Sequence, residues 1–147
     1  MKNKLTTIRA VACLLLIAAT LPLLSCAACQ NKPPVIYVVA GEVEKEVELD
    51  ISTYEKGFTF ADVLWEDDTL EADIDTTTDP DTVRSVCNES AASGEVFVLY
   101  SSDPEDAPAG TEPIKYNRKK FYRVEGDYLT LTVKMGTQYL LRLESRS

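Results

Sequence analysis

Two thiols, Cys26 and Cys29, stand three residues apart where an apolar run gives way to polar sequence, and Cys87 follows far downstream. A thiol can take an acyl chain, cross-link to a second thiol, bind a metal or act as a nucleophile. The last two uses need partners that this sequence withholds. A Ser, Cys or Thr nucleophile needs a base, most often histidine, and zinc wants four ligands. The chain has no histidine, so "SVCNES" around Cys87 carries no nucleophile pattern, and Cys29 with Cys87 would leave zinc two ligands short. Carboxylates are abundant instead, with 24 Asp and Glu against 15 Lys and Arg. Carboxylates about 5 to 9 Å apart can hydrolyse glycosides, but any domain this acidic holds such pairs by accident. The expectation is a protein that is not an enzyme and carries no cofactor, with a carboxylate-based hydrolase as an alternative.

Ahead of the paired thiols, Lys2, Lys4 and Arg9 precede an uncharged run from Ala10 to Leu24. A basic start, an apolar centre and small residues behind it form the three-part pattern of an export signal. The run is shorter than the roughly 20 residues a membrane-crossing helix needs. Basic residues before it and acidic sequence after it orient the chain outward. Leu23, Leu24, Ser25 and Cys26 resemble a bacterial lipobox. That resemblance implies a diacylglycerol thioether on Cys26, which becomes the first residue of an exported lipoprotein anchored to the cell membrane, or to the outer membrane if the cell has one. Multiple acyl chains anchor stably where one is marginal. The alternatives are an ordinary signal peptide cut near Ser25 or Ala28, and a retained transmembrane helix. With Cys26 acylated, Cys29 and Cys87 form an even pair in a cysteine-tolerant compartment, and a Cys29–Cys87 disulfide becomes a candidate. It would close a loop of about 60 residues, for about 4 kcal/mol. Otherwise Cys29 lies in a mobile stem and Cys87 is a buried single thiol.

Removing the first 25 of 147 residues leaves 122, and the loss of Lys2, Lys4 and Arg9 takes the formal charge from −9 to −12. That length suits one domain. The division expected is a signal over residues 1–25, a lipidated stem over 26–34 and a globular domain over 35–145. Such a surface disfavours nucleic acid, whose phosphates need clustered Lys and Arg.

The elements that must position any site follow from periodicity. "VIYVVAG" reads as a buried strand, and "VEKEVELDI" alternates Val43, Val47, Leu49 and Ile51 with Glu44, Glu46, Glu48 and Asp50, one face packed and one wet. Gly41 and Glu42 turn the two into a hairpin. Thr59 with Asp62 three residues on forms a capping-box variant ahead of a short helix over 60–67, with Phe60, Val63 and Leu64 inward and Trp65 as a core or boundary aromatic, a ligand platform being the alternative. Residues 83–95 show weak helical spacing, "VFVLY" reads as a central strand, and 114–116 as an edge strand. "KFYRV", "YLTLTVK" and "QYLLRL" read as an antiparallel meander. The sum is an α+β domain, a small mostly antiparallel sheet of five to seven strands packed on one short helix.

"GFTFADVL", residues 57–64, after a hairpin and before further strands, resembles the β-grasp family related to the C-terminal domain of transcobalamin. Gly57, Thr59 and Leu64 carry the likeness, which extends over about residues 35–143 and implies a sheet gripping that helix. "FVLYSSD" lacks the Asn-Gly turn of that family, and no ligand is carried over.

Two surface features remain. Asp73, Asp75, Asp79 and Asp81 lie in an acidic stretch over 66–82 that could bind a hard cation weakly. An EF-hand template fails there, because Thr78 stands where glycine is required and Arg84 where the bidentate glutamate belongs. The bland reading is a solvated loop. "KYNRKK" is the only basic run of the domain, and Lys115, Tyr116, Arg118, Lys119, Lys120 and Tyr122, with Tyr128 nearby, form a candidate contact surface for anionic lipid or an envelope protein or polymer. Its bland reading is a charged loop before a strand. The function expected is a membrane-anchored extracytoplasmic binding or interaction module, the alternative a structural envelope lipoprotein without a small-molecule ligand.

Overall fold

Val35–Ala40 (β1) is buried along nearly its whole length, as a β-branched run with no charged position requires. The computed structural model describes residues 32–50, 52 and 57–147. The export run, Cys26, Cys29 and Ile51 lie outside the described residues. Gly41, at φ +58, turns β1 into Val43–Glu48 (β2), and the two pair antiparallel from Val35↔Glu48 to Ala40↔Val43. Val47 and Leu49 are buried while Glu44, Glu46 and Glu48 are exposed, the alternation expected from the sequence.

Phe60–Glu66 (α1) begins at Thr59, whose hydroxyl accepts from the Asp62 backbone N–H at 3.3 Å while the Asp62 carboxylate accepts from the Thr59 N–H at 2.7 Å. Phe60, Val63 and Leu64 are buried. Trp65 is 56 % exposed, so the core or boundary role expected for it is incorrect; it sits on the face turned away from the packed trio.

Residues 83–95 differ from their expected helical spacing, and the acidic stretch before them, expected as loop, contributes a short strand. Asp73–Asp75 (β3), Thr82–Val86 (β4) and Glu89–Ser90 (β5) form a small antiparallel sheet in the order β3-β4-β5. Cys87 and Asn88 turn β4 into β5 at φ +53 and +63, the doubly left-handed geometry of a tight hairpin. Val83 and Val86, three apart, both bury by belonging to a strand with an irregular register beside β3.

The main sheet is completed by Glu95–Ser101 (β6), Ile114–Tyr116 (β7), Lys119–Arg123 (β8) and Gln138–Ser145 (β9), in the order β2-β1-β9-β6-β8-β7. The expected meander fails at "YLTLTVK": Tyr128–Thr130 is a 3-10 turn, and only Thr132 makes a bridge, to Thr59. Asp127 caps that turn through its carboxylate, and Tyr128 donates to the Phe97 carbonyl, so local bonds win over a strand ladder. β9 consequently does not pair with its predecessor in sequence. It inserts between β1, parallel from Val35↔Gln138 to Val39↔Arg142, and β6, antiparallel from Glu95↔Ser145 to Ser101↔Tyr139.

Both faces of this sheet are packed. Ile36, Val38, Phe97, Leu99, Tyr139 and Leu141 meet α1 on one face. Val35, Tyr37, Val98, Tyr100, Phe121 and Leu140 form a second cluster on the other, where no helix stands among the described residues. The sheet itself covers that cluster by curling, so that Tyr116 of β7 packs on Tyr37 of β1. No helix among the described residues is long and apolar enough to cross a membrane.

Candidate functional site

The basic run folds as the β7–β8 hairpin. Lys115 faces Lys120 and Tyr116 faces Lys119 across the pair, and Asn117 and Arg118 make the turn at φ +45 and +63. Alternation fixes each side chain's task. Tyr116 turns inward, half-buried, packing edge to face on Tyr37 and Phe121 and donating its hydroxyl to the Glu44 carboxylate. Burial first and the Glu44 bond second push the Tyr116 phenol up to about 12. Lys119, exposed, donates to Gln138 Oε1 at 2.7 Å and ties the hairpin to the start of β9. Lys115, Arg118 and Lys120 are exposed and have no ion pair or hydrogen bond from their charged groups among the described residues. The aromatics of the candidate surface, Tyr116, Tyr122 and Tyr128, are all half-buried, and Tyr128 donates its hydroxyl to the Phe97 carbonyl at 3.0 Å. The outward side of the hairpin is therefore cationic, with Tyr116 as its internal brace.

The acidic stretch does not converge. Asp75 is taken up by Thr77, whose hydroxyl and N–H donate to Oδ1 at 2.6 and 2.9 Å, and by Arg84, whose guanidinium donates to Oδ2 at 2.6 Å. Those Thr77 bonds first, then Arg84, pull its carboxyl down to about 2. Asp73 lies in the same short strand, while Asp79 and Asp81 stand in the turn leading into β4. Among the described residues no group of three or more Cys, Asp or Glu side chains is placed to hold a metal ion.

Cys87 is a free, half-buried thiol in the β4–β5 turn, pushed up mainly by burial. Its candidate disulfide partner, Cys29, lies outside the described residues.

Sequence reasoning missed two features. Lys134 joins Asp103 Oδ2 at 2.8 Å and Asp106 Oδ1 at 2.5 Å, while Ser101 donates to Asp106 Oδ2 at 2.6 Å. Asp106 is 3 % exposed. Burial alone would lower the Lys134 ammonium, but the bonds and charges of both carboxylates outweigh it and hold it above its usual range. Ser101 donates its hydroxyl hydrogen to Asp106 and not to Lys134, so the cluster ties three segments together as a clasp. Its members lie 28 and 31 residues apart along the chain, with no local pattern to announce them. The second is an open cavity of about 550 Å³ between the small sheet and the β6/β9 end, lined by Arg84, Ser85, Ser90, Ser93, Glu95 and Arg146 among others. Arg84 is already committed to Asp75 there, and charges of both signs line the walls.

Fold and surface together define a small α+β domain, one short helix on a mostly antiparallel curled sheet, with a cationic hairpin at one edge. Compared with known proteins, the chain matches no protein-family model and no curated protein sequence.

Proposed function

We propose that this chain is an exported, membrane-anchored binding or interaction module, held by a diacylglycerol on Cys26 and working through the β7–β8 hairpin. The export run and the Leu23-Leu24-Ser25-Cys26 segment support the anchor. The strand order supports a β-grasp-like reading of the domain: a β2–β1 hairpin, β9 parallel to β1, β6 beyond it, and one capped helix with Leu64 buried. No ligand comes with that likeness.

The observation that carries the functional reading is the trio Lys115, Arg118 and Lys120, exposed and unpaired among the described residues, in a chain of formal charge −9. Carboxylates are plentiful, so leaving three cations together without one favours an anionic partner of the envelope, its lipid surface included. Two measurements test the two halves. Intact mass of the mature protein should show diacylglycerol on an amino-terminal Cys26, and an unmodified terminus would remove the anchor. Capture from detergent-solubilised envelope should retain an anionic component, lipid or macromolecule, that the double variant Lys115→Glu, Lys120→Glu loses. Equal retention by both, or nothing retained, would take the hairpin out of the account.

A further inference from the structure

The cationic hairpin and the start of the domain occupy the same end of the main sheet. Val35, the first residue of β1, pairs with Gln138, the first of β9. Gln138 in turn meets Ser102, just past the end of β6: the Ser102 N–H donates to its carbonyl at 2.8 Å, and its own N–H donates to Ser102 Oγ at 2.9 Å. β8 runs antiparallel to β6 with Tyr122 opposite Ser101, so the residues before Tyr122 continue past β6 towards the end where β1 begins. The bond from Lys119 to Gln138 closes the relation. At the opposite end stand the Gly41 turn with Glu89 beside it, the Glu95↔Ser145 pair and the cavity, into which the acidic 76–81 turn leads at Thr82.

We infer that the β7–β8 hairpin is a membrane-docking edge, on which Lys115, Arg118 and Lys120 engage the phosphates of anionic lipid headgroups in the membrane that holds the chain, turning the acidic end and the cavity outward. The inference rests on the anchor reading above. From Cys26 to Lys32 the stem spans seven residues, at most about 25 Å when extended, so the end of the domain where the chain enters stays near the lipid surface. That nearness raises the effective concentration of lipid at the hairpin, so that encounters repeatedly bring it inside the roughly 8 to 10 Å over which an anionic surface attracts exposed cations. The rest of the acidic domain is repelled, which leaves one orientation favoured. Glu48 and Glu105 also stand at this end, and the exposed Glu44 and Glu46 of β2 lie on the Tyr116 side of the hairpin, so contact is made by the outward Lys115–Arg118–Lys120 edge and not by the whole end.

Two local details fit a retained cationic edge. Lys115 and Lys120 are placed directly opposite one another, where like charges destabilise a strand pair. Arg118 occupies a left-handed turn position, φ +63, that glycine adopts more easily.

For the test, the mature chain with an amino-terminal histidine tag is held on vesicles carrying a nickel-chelating lipid, made of phosphatidylcholine alone or with phosphatidylglycerol. Attachment then does not depend on acylation, so failure of docking is distinguishable from failure of the anchor, which intact mass reads separately. Backbone amide exchange over residues 114–123 should slow at least about tenfold on the anionic vesicles only. High salt, or Lys115→Glu with Lys120→Glu, should abolish the effect, and the milder Lys115→Gln with Lys120→Gln should reduce it. Equal exchange on both vesicle types, protection that survives charge reversal, or protection at residues 76–81 instead would each overturn the inference.

Discussion

Tyr37 on β1 and Tyr116 on β7 meet edge to face with ring centroids 5.4 Å apart, although their strands stand four places apart in the sheet. A flat sheet would separate them by about 19 Å. Their contact therefore records how far the sheet curls, and it covers an apolar face that otherwise has no helix against it among the described residues. The same contact seats the inward side of the hairpin whose outward side is cationic.

Tyr116→Ala should remove a half-buried ring and loosen the curl, costing about 2 kcal/mol. Tyr116→Phe keeps the ring and loses only the bond to Glu44, for about 0.5 kcal/mol. Denaturant unfolding measures both, and equal losses would place the stabilisation in the hydroxyl and not in the curl.

The clasp at Lys134 should make stability depend on pH at both extremes. The Lys134 bond first, then the Glu105 N–H, pull Asp103 below its ordinary value. Its contribution is complete above the unfolded carboxylate value of about 4 and is lost as pH falls through the folded value. Lys134, raised, contributes fully below about pH 10 and loses that contribution as pH climbs through its folded value. Lys134→Met should cost about 1 to 2 kcal/mol at neutral pH, a figure discounted because the side chain is 39 % exposed. The gap from wild type should narrow in acid below about pH 4. A gap unchanged between neutral and strongly acidic buffer would show that packing, not charge, sets the cost.

Arg118→Gly should move stability and docking in opposite directions. Glycine relieves the left-handed backbone at φ +63 and stabilises the hairpin by about 0.5 kcal/mol, while one of the three unpaired cations disappears. Thermal unfolding and vesicle binding read the two effects. A less stable variant would mean that the arginine side chain supports the fold.

Thr59→Ala removes one half of the reciprocal cap on a seven-residue helix and should cost about 1 kcal/mol in urea unfolding, with Thr59→Ser close to wild type. A serine variant as weak as alanine would assign the loss to the Thr59 methyl group.

Much of the architecture was legible wherever neighbouring residues carry the signal. The β1–β2 hairpin, the capped helix, the central strand around Val98 and the edge strand at Ile114 all follow from alternation, glycine and capping chemistry within a few positions of one another. Residues 83–95 and 127–133 were misread because the deciding partners are remote. Cys87 and Asn88 turn left-handed only in a hairpin beside β3, and Asp127 and Phe97 draw Tyr128–Thr130 out of a strand.

By itself, the sequence determined the acidic balance, the missing histidine, the apolar run ahead of Cys26 and the cluster of lysines around Arg118, because these are properties of residues read in order. Only the tertiary structure decided that β9 threads between β1 and β6, that the curl brings Tyr116 to Tyr37, that Lys134 clasps two distant aspartates, and that the basic hairpin shares an end of the sheet with Val35. The physical reason is that each of these joins segments tens of residues apart, whose meeting is fixed by burying two faces of one sheet together and not by any local preference.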